Sequence, residues 1–259
     1  MSTMIGGMRV DAGNYYSASD QILEWAKMGE FRYVCIANVH MLMETRDSAE
    51  FRAVVNGADM VTSDGMPLVW MLRWRGRREA ERVYGPDLML QVCADAARDG
   101  VQIGLFGGTE DVLEGVCATL KRRFPTLQIV AQISPPFGQF TAEQNEAFGR
   151  SLAASGARII FVGLGCPKQE KWMAEMRGRV PAVVLGVGAA FNFHAGNVRQ
   201  APAWLQRAGL EWLFRLAVEP RRLWRRYAWH NPRFVWAIAR EEWDRRRMSA
   251  ALGTSNRGR

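Results

Sequence analysis

The sequence predicts an α/β fold with a mainly parallel sheet and helices on both of its faces. From residue 32 onward, short apolar runs rich in β-branched residues alternate with segments of helical period, as in strands joined by crossover helices. The chain has 259 residues, of which 48% are hydrophobic, so it can bury one large core or two modest ones. This pattern is that of a Rossmann-like domain, whose ligands bind beyond the carboxyl ends of the strands.

Six buried strands and seven helices follow from these patterns. The strands are predicted at residues 33–37, 59–62, 101–106, 128–132, 158–163 and 182–187. An N-terminal helix at 18–28 follows Ser17, whose hydroxyl can cap it. The other helices are predicted at residues 48–56, 67–74, 87–98, 110–123, 141–154 and 169–177.

The positive charge of the chain is concentrated at its C-terminal end. Residues 1–195 carry 20 basic and 21 acidic side chains, whereas the last 64 residues carry 14 Arg, five acidic side chains and six of the ten Trp. We therefore expect an α/β domain at 1–198, an Arg/Trp-rich helical appendage at 199–247 and a disordered tail at 248–259.

The appendage is predicted to contain two helices that are separated at Asn231-Pro232. In the first, at about 220–229, a helical wheel places Trp224 and Tyr227 on one side and four Arg on the other. This composition is typical of a helix lying on an anionic membrane surface. A helix that packs on the core and exposes an Arg face is the alternative. Nucleic-acid binding is disfavoured because Trp and Arg face different ways.

Cysteine usage and hydropathy indicate a cytoplasmic protein without a membrane span. The four cysteines are far apart and the chain has three histidines, which indicates reduced thiols and neither a zinc site nor a disulfide framework. The N-terminus lacks the pattern of a secretory signal. The uncharged runs 124–142 and 180–198 contain Pro and Gln or Gly and Asn, which argues against a transmembrane helix.

Polar residues follow the first two predicted strands. Asn38 comes directly after the first strand, and Asp64, which is followed by Gly65, comes two residues after the second strand. Both are expected at the rim where a parallel sheet binds ligands. An ionised Asp64 can act as a general base there, or it can make an Asx-turn before the helix at 67.

Glycine-rich turns follow three other strands. Gly107 and Gly108 precede Glu110 and Asp111, which would repel a diphosphate, so a structural cap or a ribose contact is favoured there. After Gly163, the turn carries Lys168 and Gln169, which suit an anionic or nucleotide ligand. Gly186 and Gly188 let the backbone approach a ligand closely. None of these turns has the spacing of G-x-G-x-x-G or of a Walker A loop.

Several motifs, taken in order, resemble the WecG/TagA/CpsF family of bacterial glycosyltransferases from about residue 9 to 245. They include S-D-G-M at 63–66, E-R-V-Y-G-P-D-L at 81–88, P-K-Q-E at 167–170, R-Q-A-P at 199–202 and G-L-E-W-L-F-R-L-A-V-E-P-R at 209–221. The resemblance implies an inverting, metal-independent transfer of a sugar from a UDP-sugar to a saccharide on undecaprenyl diphosphate.

The resemblance also implies roles for individual residues. Asp64 is expected to be the base, with Asn38 and Arg82 as the other catalytic residues, and Arg82 offsetting charge on the UDP leaving group. No cofactor or metal is expected, since the chain lacks a D-x-D pair. The expected substrate-binding residues are Gln169, Lys168, Gly107, Gly108, Gly186, Gly188, Asn192, Arg215 and Arg221.

Two departures from the family pattern leave the donor sugar open. Ile36 stands where members often have Thr, and Asn192 stands where an acidic residue is usual. A hexose of the glucose or N-acetylmannosamine type is expected, for surface or exopolysaccharide synthesis.

The expected partners are the UDP-sugar, the lipid-linked acceptor and the anionic inner face of the cytoplasmic membrane, and self-association stays open. The alternatives to an enzyme are an inactive nucleotide-sugar-binding scaffold and a basic nucleic-acid-binding protein.

Overall fold

A computed structural model describes residues 2–255, in which strands and helices alternate along most of the chain. The strands are β1 (Ser2–Ile5), β2 (Met8–Asp11), β3 (Arg32–Ala37), β4 (Met60–Ser63), β5 (Ile103–Gly107), β6 (Ile129–Ile133), β7 (Ile159–Gly163) and β8 (Val183–Gly186). The helices are α1 (Tyr15–Met28), α2 (Val39–Asp47), α3 (Ala49–Asn56), α4 (Met66–Trp74), α5 (Gly85–Asp99), α6 (Glu110–Arg123), α7 (Ala142–Ala154), α8 (Lys168–Glu175), α9 (Ala190–His194), α10 (Ala203–Arg207), α11 (Glu211–Val218) and α12 (Pro220–Ser255).

Six strands form one parallel sheet in the order β4-β3-β8-β7-β5-β6. Successive side chains of β3 enter different cores: Tyr33 and Cys35 pack in one cluster, and Val34 and Ile36 in the other. This alternation buries both faces of the sheet under helices. The predicted α/β class with a mainly parallel sheet is therefore confirmed.

The structure contains an N-terminal hairpin and four helices that the sequence patterns do not predict individually, namely α2, α9, α10 and α11. Strands β1 and β2 pair antiparallel around Gly6 and Gly7, whose φ angles of 59° and 85° suit glycine. Asp11 accepts a hydrogen bond from the Val61 amide at 2.8 Å, so the hairpin covers the edge strand β4. Helices α2 and α9 begin within a few residues of a strand end, where the sequence analysis expects loops.

The predicted break of the C-terminal helices at Pro232 is wrong, because α12 is one helix from Pro220 to Ser255. Tertiary packing outweighs the proline: the inward face of α12, which includes Leu223, His230, Ala237 and Ile238, is buried against the α/β domain. The helix also runs through the start of the segment 248–259 that was predicted to be disordered. Residues 256–259 of that segment lie outside the described residues.

The separation of Trp from Arg that is predicted for residues 220–229 does not extend along the rest of α12. The inward face contacts the core, whereas Trp229, Trp236 and Trp243 are exposed and spaced seven residues apart. The Arg four residues after each of these Trp lies over its ring, at 5.1–5.4 Å from the centroid. We call these six residues the Trp/Arg stripe; they are Trp229, Arg233, Trp236, Arg240, Trp243 and Arg247.

The stripe combines features of both interpretations of the appendage. Its helix packs on the core, as the alternative interpretation proposed, and its outer face carries indoles together with Arg. In residues 2–255, no helix is both long enough and apolar enough to cross a bilayer.

Candidate active site

A cavity of about 450 Å³ opens between the carboxyl ends of β3 and β4 and the C-terminal helices α10 to α12. Asn38 and Asp64 line it from the sheet, and Glu211 and Arg215 line it from α11. The cavity therefore combines the predicted strand-end residues with the appendage, and neither part encloses it alone.

Backbone hydrogen bonds fix Asp64 at the edge of the sheet. The Asp64 amide donates to the Ala37 carbonyl at 2.8 Å, which continues the pairing of β3 and β4 by one residue. Asn38 caps α2, because its Oδ1 accepts from the Met41 amide at 3.1 Å. The Val83 amide donates to the Ser63 carbonyl at 2.8 Å, which brings the neighbouring Arg82 next to Asp64.

Arg82 connects the sheet to the appendage. Its guanidinium forms an ion pair with Asp64 Oδ1 at 3.2 Å and a second ion pair with Glu211. It also donates to the Asp64 carbonyl and, at 3.2 Å, to Gln206 Oε1 of α10. The Tyr84 ring lies under the guanidinium at 4.3 Å, a cation–π distance. One cation thus holds together two carboxylates, an amide and an aromatic ring.

Burial raises the pKa of Asp64 to about 6, although the charge of Arg82 opposes this shift. The carboxylate of Glu211 raises the pKa further, and Arg215 lowers it. Asp64 is therefore largely ionised at neutral pH and has a higher proton affinity than an exposed aspartate. These are the properties that a general base needs.

The two appendage arginines singled out in the sequence differ in position. Arg215 lines the cavity, lies 4.0 Å from Glu219 and 5.7 Å from the centroid of the Phe193 ring, and its buried Nε has no hydrogen-bond partner among the described residues. Arg221 is exposed on α12 and does not line the cavity. Arg226, one turn further along α12, lines it instead.

Gln169 lies outside this cavity, in the packing beneath β8. Its Oε1 accepts from the Gly165 amide at 3.1 Å, and its Nε2 donates to Glu170 at 2.7 Å. A Cβ on Gly186 would lie 2.9 Å from Gln169 Nε2, and one on Gly188 would lie 3.4 Å from Gln169 Oε1. The glycines at 186 and 188 therefore make room for Gln169.

The remaining predicted binding residues, Gly107, Gly108, Lys168 and Asn192, do not line this cavity. A Cβ on Gly107 would lie 2.8 Å from the Gly163 backbone, so close packing explains the glycine at this position. The φ of Gly108 is 74°, a backbone conformation that favours glycine. Lys168 donates to the Gly138 carbonyl and lies 3.7 Å from the centroid of the Phe140 ring. Asn192 accepts at its backbone from the amides of residues 197 and 198.

Several cavity residues are absent from the sequence-based site. Gln206 and Glu211 bind Arg82. Glu211 lies inside the motif at 209–221, so that motif could have indicated Glu211 as a site residue. His40, Glu44 and His230 also come together, with their possible metal-binding atoms within 4.8 Å of one another. His40 and His230 are 190 residues apart in the chain, so no local spacing indicates this cluster.

The chain also matches a known protein family along most of its length. The model of the glycosyl transferase WecG/TagA/CpsF family matches residues 3–248. The match covers the sheet, both strand ends that face the cavity and the helices α10 and α11, and it ends within α12.

Proposed function

The chain belongs to the WecG/TagA/CpsF family of glycosyltransferases, and we propose that it transfers a hexose from a UDP-sugar to a saccharide on undecaprenyl diphosphate. The product is a precursor of a bacterial surface polysaccharide or exopolysaccharide. The observation that carries this proposal is the partly buried Asp64 carboxylate, which is paired with Arg82 in a cavity that the C-terminal helices complete.

In the proposed reaction, Asp64 takes the proton of the attacking hydroxyl on the acceptor saccharide. The acceptor oxygen forms a bond to the anomeric carbon of the donor as the bond from that carbon to the UDP oxygen breaks. A single displacement of this kind inverts the anomeric configuration. Asp64 ends the step protonated and then loses its proton to water.

Arg82 and Arg215 are proposed to offset the negative charge that develops on the UDP leaving group. Arg82 is already paired with Glu211, so a diphosphate has to replace that carboxylate in order to bind the guanidinium. The buried, unpartnered Nε of Arg215 supports a role in binding an anion. Neither step requires Mg²⁺ or Mn²⁺ at the donor.

Asn38 is proposed to shape the cavity through its cap of α2 and to contact the acceptor or the sugar. Gln169 is proposed to position the ends of β7 and β8, in keeping with its internal hydrogen bonds. Lys168 and Arg221 have no part in this mechanism because they lie outside the cavity.

A transfer assay tests the proposal. The full-length protein is incubated with a lipid-diphosphate saccharide and a panel of UDP-hexoses, with EDTA and separately with added Mg²⁺ or Mn²⁺. We expect acceptor-dependent UDP release with one donor and no gain from Mg²⁺ or Mn²⁺. Binding of a UDP-sugar without release from any donor would instead favour an inactive nucleotide-sugar-binding scaffold.

The membrane is proposed to lie against the Trp/Arg stripe and the exposed indoles beside the cavity. Trp70 of α4 and Trp212 of α11 line the cavity mouth and are 50% and 40% exposed. Indoles and guanidinium groups together favour the headgroup region of an anionic leaflet. Docking there, on the cytoplasmic face, brings the cavity to an acceptor that stays in the bilayer.

Flotation on vesicles tests this surface. We expect the wild type to float with phosphatidylglycerol vesicles, and a triple variant with Trp229, Trp236 and Trp243 changed to Ala to lose most of that binding. Phe137→Ala, a fully exposed aromatic far along the chain from the stripe, is the matched control and should float normally. Equal flotation of the triple variant, or tight salt-dependent binding to duplex DNA lost in that variant, would contradict membrane docking.

A further inference from the structure

Two histidines that line the cavity come together with a glutamate behind them, and the three residues belong to two helices. His40 and Glu44 lie one turn apart on α2, and His230 comes from α12. The two imidazole rings meet edge to face with centroids 5.1 Å apart. The cluster is one of the places where the C-terminal helix contacts the α/β domain.

The distances in this cluster are longer than hydrogen bonds. Glu44 Oε1 lies 3.5 Å from His40 Nε2 and 3.8 Å from His230 Nε2. Hydrogen bonds between nitrogen and oxygen are about 2.7–3.2 Å long. Two ligand atoms that each lie about 2.0–2.1 Å from one tetrahedral metal ion are about 3.4 Å apart. The spacing is therefore closer to that of ligands around a shared ion.

His230 lies buried in the cluster without a hydrogen bond that fixes its ring. It is 8% exposed, its Nε2 lies on the side of Glu44, and its buried Nδ1 has no hydrogen-bond partner among the described residues.

We propose that His40, Glu44 and His230 bind one transition-metal ion of the Zn²⁺ type and thereby fasten α12 to α2 beside the catalytic cavity. Two imidazoles and one carboxylate form a ligand set that zinc uses, and three protein ligands leave a fourth position for water. Mg²⁺ is disfavoured because it prefers oxygen ligands. This role is separate from sugar transfer and does not rest on the proposed function.

The charges around the cluster are mixed. Glu44 supplies one negative charge to the ion, and Arg226 faces the cluster as an opposing cation. Asp47 and Arg233 pair with each other nearby, with a contact of 2.9 Å. The site therefore needs the strong bonds of a transition metal to imidazole, and electrostatic attraction alone would not hold a cation there.

The test uses the full-length protein, stripped with a chelator and returned to chelator-free buffer. Zn²⁺ is titrated in competition with a chromophoric chelator, and Co²⁺ binding is followed by visible absorption. We expect one equivalent to bind, with affinity reduced at least 100-fold in His40→Gln, in Glu44→Gln and in His230→Gln. His194→Gln is the matched control, since its ring bonds the Pro86 carbonyl at 3.0 Å and lies outside the cluster, and it should bind normally.

A second measurement covers the case in which His230→Gln fails to fold. Amide hydrogen exchange in α12 should be slower with Zn²⁺ than without it in the wild type, and should not respond to Zn²⁺ in His40→Gln. Absence of saturable binding at one equivalent, or unchanged affinity in both His40→Gln and Glu44→Gln, would overturn the proposal. Neither measurement involves a sugar donor, so its result is independent of the transferase assay.

Discussion

Asp64 and Glu211 are two carboxylates that share the guanidinium of Arg82. Because both are partly buried, each disfavours ionisation of the other, while Arg82 favours ionisation of both. Although burial lowers the pKa of Arg82, the charges of Asp64 and Glu211 raise it overall, so the cation is permanent. The proton affinity of Asp64 is thus set by the balance between burial, Arg82 and a carboxylate from the appendage.

Glu211→Gln is expected to shift the pH dependence of transfer. Removing the like charge lowers the pKa of Asp64 from about 6, so the rising limb of kcat/KM should move to lower pH, by about one unit. Initial rates measured between pH 4.5 and 8 give the pH range in which kcat/KM rises. Asp47→Asn, which changes a carboxylate on α2 outside the cavity, should leave it in place. A limb that moves upward or stays fixed in Glu211→Gln would mean that Glu211 does not influence the base.

Glu170 is a second buried carboxyl group, and it lies away from the proposed chemistry. Its side chain is fully buried, one oxygen accepts from Gln169 at 2.7 Å, and the Cys166 thiol lies close enough to interact with the carboxyl group. Burial raises its pKa to about 7, although the hydrogen bond from Gln169 opposes the shift. Folding therefore favours the protonated form.

This raised pKa predicts a pH-dependent stability. The stabilisation from a protonated Glu170 is fully present below the ordinary glutamate pKa of about 4.5 and is lost as the pH rises through about 7. Glu170→Gln keeps an acceptor for Gln169 without the charge, so it should be more stable than the wild type at pH 8, by roughly 3 kcal/mol. Urea unfolding at pH 5 and pH 8 measures the difference. An equal difference at both pH values would contradict the assignment.

At the level of residues, the sequence predicts part of the site for a clear reason. Asn38 and Asp64 follow predicted strands, and parallel strands carry their carboxyl ends to one edge, so their proximity could be predicted. Arg82 follows no predicted strand and was expected at the site only from the family motif at 81–88. The sequence could not show that Lys168 and Arg221 lie outside the cavity, because motif membership does not show which way a side chain points. Glu211 was missed because a carboxylate is not an expected contact for a diphosphate.

At the level of elements, long periodic segments were predictable and short ones were not. Helix α6 was predicted with the bounds that the structure has, and the strands were predicted to within a few residues. Helix α2 begins directly after its cap Asn38, with almost no loop between it and the preceding strand, so the sequence pattern shows no separate start for this helix. The continuity of α12 through Pro232 depends on the packing of its inward face, which no local pattern contains.

The attachment of α12 depends on a buried cation. Arg75 is 5% exposed and contacts Glu241 at 3.0 Å and Glu242 at 2.6 Å, and the Gly6 amide donates to Glu241 at 2.9 Å. These contacts hold the second half of α12 against α4 and the N-terminal hairpin.

Arg75→Ala should destabilise the protein by about 2–3 kcal/mol, because it leaves two partly buried carboxylates without their cation. Arg150→Ala is the control: its ion pair with Glu146 lies on α7 with side chains 68% and 63% exposed, and its loss should not be measurable. The free energy of unfolding is measured in urea for both variants and for the wild type. Equal stabilities would show that the Arg75 ion pairs do not hold α12.

At the level of the whole molecule, the charge asymmetry of the chain has a structural meaning. The nearly neutral part forms the sheet and its helices, and the Arg-rich part packs along the sheet edge, where it completes the cavity. The division at residue 198 that the sequence predicts stays a prediction as a domain boundary. The site itself crosses that position, since Asp64 lies on one side and Glu211 and Arg215 on the other.

A comparison of three proteins tests the catalytic role of Asp64. With the donor identified from the UDP-hexose panel, transfer to the lipid-linked acceptor is measured by mass spectrometry for the wild type, Asp64→Asn and Asp47→Asn. We expect Asp64→Asn to fold, to bind the donor and to transfer about 10²–10⁴-fold more slowly, while Asp47→Asn matches the wild type. Transfer by Asp64→Asn at the wild-type rate would contradict that role.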